Sequence, residues 1–396
     1  MNVRIGPENR TLLNLGWNQV ADTYTATTTR NTVSAVHLRM RRCLLNLNGT
    51  VNYYLDPLDS TKKADGTPSV LTGADGYVMV EIPKFSFKYT YNAGQYFWEV
   101  VIGKRDGYTL HPAFIKDGVE VENRYIGAYD ACVWDASTST YISGLNLDNT
   151  DSLIDIVTDR LASVSGVYPM VGQIRARFRS LADNNGSGWR QLDFWLASAV
   201  QLLYLIEYDA FNSQQVLGLG NVSSTYLESS SNQNDSPHTI AGASNALGNR
   251  STNRTQPSAG ARPGIAYMSY RGIENFYGNC WNFVDGFNLI NFAAWVTNSR
   301  ANFVDDVTTN MTNVGTLAST SGFATDIVNY GGTFLPSAVG GSSTTRLTDQ
   351  LFVSSGNRVA LLGGSAVSGV GAGVFCWSLS NDSSFRSRSI GARACF

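Results

Sequence analysis

Between Gly188 and Tyr208 the chain reads GWRQLDFWLASAVQLLYLIEY, and Leu192, Trp195, Leu196, Ala199, Leu203 and Ile206 recur in it at helical intervals. Side chains three and four apart share one side of a helix, so this spacing predicts a core-packing helix. Just upstream, QIRARFRSLADNNGSG predicts a shorter amphipathic helix that stops at its Asn-Asn-Gly turn. Most of the remaining pattern is of another kind. Short β-type runs such as VSAVHLRM, TVNYYLD, VMVEIPKFSFKYTY and WEVVIG are separated by the turn signals NGT, ADGT and GADG. Pro83 inside the third run marks an edge position or a bulge, because proline has no N–H for a ladder. Few helices among many short strands predict an α+β fold.

Two stretches carry little apolar patterning, about Gly218–Arg262 and Thr308–Thr348, and their Ser, Asn, Thr and Gly content predicts long surface excursions. Charged residues make up only 15% of the 396 residues, against roughly 25% in typical soluble domains. With a net charge of -2 there is no global positive field to gather phosphates, so nucleic acid is not expected as a partner. The opening MNVRIGPENRTLLNLGW lacks a signal-peptide pattern and no apolar run reaches membrane-spanning length, so no membrane insertion is expected.

Groups capable of chemistry are sparse. Cys43, Cys132, Cys280, Cys376 and Cys395 are far apart, form no CxxC pair, and read as buried free thiols. His37, His111 and His238 lie in different regions and form no metal or triad motif. Asp148, Asp151 and Asp155 read as a solvated helix start in preference to a metal site, and the metal reading of Asp305 and Asp306 is discounted in the same way. GVGAG at Gly369–Gly373 lacks the following helix of a nucleotide loop. No metal or cofactor is expected.

Three segments carry a resemblance: MSYRGIENFYGNCWNFVDGFN (Met268–Asn288), RVALLGG (Arg358–Gly364) and IGARACF (Ile390–Phe396). Together they resemble the C-type-lectin-type fold shared by formylglycine-generating enzymes and the variable proteins of diversity-generating retroelements. The matching positions are Gly278, Asn279 and Trp281, then Arg358, Val359, Gly363 and Gly364, then Gly391 and Arg393. VMVEIPKFSFKYTY and HPAFIKDGVEVENRYIGAYDA are similar to modules of phage tail-fibre and retroelement variable proteins. The resemblance implies a ligand-binding domain over residues 77–396, with a variable segment at 358–396. A small β-rich unit over residues 1–76 would serve mounting or assembly. Trp281 and Phe283 are expected in the core, Gly278 in a turn, and Arg393 beside a buried acid.

Two classes share that fold. Formylglycine-generating enzymes need two cysteines shortly after the Gly-Gly pair, and Ser368 and Gly373 stand at the matching positions. The binding class instead interleaves scaffold residues with positions free to vary. The resemblance thus implies a non-enzymatic receptor-binding protein, with a non-diversified phage tail-fibre tip as the alternative and an oxidase disfavoured. Its contact face is expected to use Ala366, Val367, Ser368, Val370, Cys376, Trp377, Ser378, Ser380, Asp382, Phe385, Arg386 and Arg388. Strand alternation would put Cys376, Ser378 and Ser380 on one side. Expected partners are a host surface protein or glycan and an assembly partner on a virion tail or cell surface. A homotrimer is the oligomer suggested by related tropism proteins.

Overall fold

The computed structural model describes residues 15–18, 23–26, 33–92, 95–142, 153–224, 238–256 and 264–396. It is mostly β-sheet with few helices. The longer predicted helix is present as Phe194–Tyr208, called α2, and every one of its residues is buried. A helix that is apolar all round belongs in the middle of a core. It begins later than the periodicity suggests because Asp193 caps it, its Oδ1 accepting from Leu196 N at 2.9 Å. The preceding Arg190–Gln191 is instead an edge strand paired with Ala394–Cys395. The shorter helix, α1, spans Arg175–Asp183.

A six-stranded sheet runs in the order Arg190–Gln191, Ala394–Cys395, Asn123–Gly127, Tyr77–Pro83, Arg41–Leu45, Val51–Tyr54. The expected boundary at residue 76 therefore does not separate two units in the described residues. Arg41–Leu45 pairs along its whole length with Tyr77–Pro83. Val36, Met40, Leu44 and Leu55 lie in the same core cluster as α2. Pro83 closes its strand, and the chain then enters a different sheet as Phe85–Asn92, paired with Gln95–Ile102. The missing proline N–H makes the end of a ladder its natural place.

The third large sheet has nine strands. Its central run is Trp281–Ile290, Asn357–Leu362, Trp377–Leu379 and Gln350–Val353. Thr308–Thr348 is not the surface excursion its composition suggests: it supplies the strands Thr312–Thr316, Gly322–Ile327 and Pro336–Val339. Val314, Ala324 and Ile327 point into the core from otherwise polar strands, and a few apolar anchors suffice where the other face is wet. Of the first polar stretch, residues 225–237 and 257–263 lie outside the described residues. What remains includes the buried His238, Thr239 and Leu247 and a strand at Thr252–Thr255.

The long strand Trp281–Ile290 is bulged: Val284 faces Ala360, whereas Asn288 already faces Val359. Gly286 supplies the positive φ of +68° inside that bulge. The carbonyls of Val284 and Phe287 accept from Arg175 Nη1 on α1, at 3.1 and 2.8 Å. Arg175 Nε also reaches Asp305 at 2.8 Å, and Arg179 bonds both Asp285 and Asp305. Asp305 is thus part of a largely buried ion-pair network, a role its sequence neighbourhood does not reveal. Replacing Arg175 by Met strands two carbonyls and weakens the hold on two carboxylates, so the midpoint of urea unfolding should fall by the equivalent of roughly 3–5 kcal/mol. An unchanged midpoint would mean that α1 does not hold the bulge.

Candidate ligand-contact surface

Two of the three motif segments, Met268–Asn288 and Ile390–Phe396, meet at one carboxylate. Asp130 Oδ1 accepts from Arg393 Nη2 at 2.6 Å and from Asn282 Nδ2 at 3.1 Å. Its Oδ2 accepts from Asn279 Nδ2 at 2.8 Å. Arg393 spends its remaining reach on the carbonyls of Gly127, Glu274 and Asn275. Both members of the ion pair are buried, and burial pushes the Asp130 carboxyl above and the Arg393 guanidinium below its ordinary value. At 2.6 Å, with two amide donors added, the charged pair is well compensated.

The same turn holds the loop that follows Gly363 and Gly364. The Asn279 carbonyl accepts from Ala366 N at 3.0 Å, while its side-chain Oδ1 accepts from Thr239 N and Asn221 Nδ2. Ser224 N donates to the Ala366 carbonyl and Gly369 N donates to that of Val222, both at 2.8 Å. Gly364 sits at φ +85°, where an added Cβ would lie 2.7 Å from that of Ala372. The loop can fold back this tightly only with glycine there.

A second loop, residues 381–389, returns the chain to the frame. It is tied where Val359 N donates to Asn381 O, where Gly172 N donates to Ser387 O, and where Trp281 N donates to Ser389 O. Asp382 turns inward on its own loop, accepting from Ser384 N and Oγ.

These two loops divide the expected contact residues. Val367, Val370 and Phe385 are exposed at 48%, 57% and 41%, and Asp382 and Arg386 are exposed as well. Ser368 and Ser380 are half-buried. Ala366, Cys376, Trp377, Ser378 and Arg388 are inside the protein and cannot form an outer face. Trp377 packs edge-on against Phe287 at 5.5 Å and lies 6.0 Å from Phe194, so it belongs to the core around α2. Ser378 and Ser380 do share a side, their hydroxyls 3.2 Å apart, but Cys376 precedes the strand and is fully buried. Phe283 is buried as expected, whereas Trp281, expected in the core, is half-buried and meets the half-buried Phe352, which sequence reasoning missed, edge-on at 5.9 Å. The alternation in Gln350–Val353, with Leu351 and Val353 inward, was the available signal for Phe352.

Other reactive groups are held away from solvent. All five cysteines are free and buried, and burial raises each thiol above its ordinary range. Burial lowers His37 to about 4 and His111 to about 3, so both stay neutral near pH 7. Asp148 and Asp151 lie outside the described residues, and Asp155 closes its own turn through Val157 N. Among the described residues no group of three or more His, Cys, Asp or Glu side chains is placed to hold a metal. None of the described helices is long and apolar enough to cross a membrane. No protein-family model matches the chain, and no curated protein matches it.

Beneath the glycine loop, Asp349 is buried, and its Oδ2 accepts from Phe375 N at 2.7 Å. Burial pushes its carboxyl up to about 8. A folded-state value above the unfolded one means that the protonated form supports the fold. That support is complete below about pH 4 and is lost as pH rises through about 8. Asp349→Asn should therefore unfold at a higher temperature than the wild type at about pH 9 and at no higher temperature at about pH 4, by calorimetry. A gain of equal size at both values would contradict this assignment.

Proposed function

We propose that this chain is a non-enzymatic ligand-binding protein of the retroelement variable-protein type, with a C-type-lectin-type domain. What carries the reading is the division of labour in the two loops. Their backbones are fixed by amide and carbonyl partners and by Asn279, whereas the side chains of Val367, Val370 and Phe385 are exposed. Such positions can change identity without cost to the fold. That is the physical requirement for a surface meant to vary. Val367 and Val370 on one loop, and Phe385, Arg386 and Asp382 on the other, expose the mixed chemistry that recognition surfaces use.

The lectin-type assignment is supported by the convergence of Asn279 and Arg393 on Asp130, since the motif residues then have a common structural reason to occur together. The ligand would be a surface molecule of a host, protein or glycan, met by a protein carried on a virion tail or cell surface. A trimer would present three such patches together.

Two measurements test the proposal. Val367→Asp, Val370→Asp and Phe385→Ala should each change unfolding free energy by under about 0.5 kcal/mol. Trp377→Ala should cost roughly 3–5 kcal/mol. DNA around the gene should hold a near-copy of the stretch encoding residues 358–396 that differs at adenines, beside a reverse transcriptase. Without that copy the diversified reading fails, and a fixed tail-tip adhesin takes its place.

A further inference from the structure

A cleft lies outside the two loops, against a small three-stranded sheet. The strands Cys132–Asp135, Thr140–Ile142 and Arg160–Ala162 form a small antiparallel sheet with Cys132–Asp135 in the middle. Its register sets Trp134 opposite Tyr141 on one side and opposite Arg160 on the other. The three side chains therefore form a row across the sheet. Trp134 and Tyr141 meet edge-on at 4.9 Å, and the Arg160 guanidinium lies 5.7 Å from the Trp134 ring. This row is one wall of a cleft of about 270 Å³, faced by Leu47, Thr72 and Gly73. All three members of the row are half-buried, so each keeps a surface open to the cleft.

Two features mark the cleft. Gly73, at φ +98°, leaves the space that the Tyr141 hydroxyl occupies, since an added Cβ would fall 1.9 Å from it. The cleft wall is thus closely fitted at this point. Arg160, moreover, forms no ion pair among the described residues although acids surround it in sequence. Asp135 is occupied by Ser137 and Thr138, and Asp159 by Ala136 N and Asp155 N. An arginine held beside a tryptophan and free of ion pairs among the described residues suits a carboxylate.

We propose that this cleft binds a single sugar ring bearing a carboxylate, with Trp134 and Tyr141 against its C–H face and Arg160 at its acid group. The volume is slightly below the roughly 300–1,000 Å³ of drug-sized sites, a size that suits one ring. Aromatic side chains with a polar edge meet both the apolar face and the hydroxyl rim of a sugar. A quaternary ammonium, the other ligand that seeks aromatic faces, is repelled by Arg160. This site is independent of the variable-loop reading, and either can fail without the other.

The test is a titration of the full chain, labelled with ¹⁵N in its tryptophan indoles, with methyl glucuronide and with methyl glucoside. The Trp134 signal is assigned by its loss in Trp134→Phe. Glucuronide should shift that signal, and glucoside should need at least about tenfold more to do so. Arg160→Gln should reduce glucuronide to the level of glucoside while the other indole signals stay in place. No shift with tens of millimolar glucuronide overturns the site, and equal response to both sugars overturns the acidic specificity.

Discussion

The pairing of Arg393 with Asp130 is the contact on which the arrangement of the other parts depends. Two charges taken out of water are costly unless every remaining donor and acceptor finds a partner. The two terminal nitrogens of Arg393 and both oxygens of Asp130 meet that demand through the carbonyls of Gly127, Glu274 and Asn275 and the amides of Asn279 and Asn282, while Arg393 Nε stays without a partner among the described residues. The final strand, the turn before Trp281 and the end of strand Asn123–Gly127 are thereby locked to one point. The glycine loop inherits its position from the same turn, through the bond between Ala366 N and Asn279 O.

Other buried arginines repeat this device on a smaller scale. Arg124 bonds Asp193, the cap of α2, and reaches the carbonyls of Ala113 and Phe396. Arg175 fills the bulge of Trp281–Ile290 from α1. A planar guanidinium satisfies several carbonyls at once, so it can stabilise irregular backbone where a regular ladder cannot reach. The two loops are held chiefly by backbone bonds and by Asn279, which leaves the exposed Val367, Val370 and Phe385 outside the hydrogen-bonded frame. The proposed recognition role follows from that freedom, since specificity can change there while the frame stays constant.

The two helices were legible because their apolar spacing is long and regular, and α2 is missed only at its start, where Asp193 caps it. The inward fate of Trp377 was not. Its strand has only three residues and is covered on both sides, so alternation over so short a run does not separate core from surface. Thr308–Thr348 was misread because its strands need few apolar residues, and a Ser/Thr-rich composition serves a half-wet strand as well as a loop. Asp130 gave no local sign at all. It stands alone in GAYDA, and its importance comes from residues more than a hundred positions away in sequence. The motif partners Asn279 and Arg393 were visible, but the acid that explains them was not.

The central claim is that frame and contact surface are separable within one short segment. Its most direct measurement is a saturation library over residues 358–396, displayed on cells and sorted for resistance to protease. Free substitution at Val367, Val370 and Phe385, with near-complete intolerance at Gly364, Trp377 and Arg393, is the predicted outcome. Uniform tolerance across the segment, or loss of resistance at the exposed positions as severe as at Trp377, would contradict it.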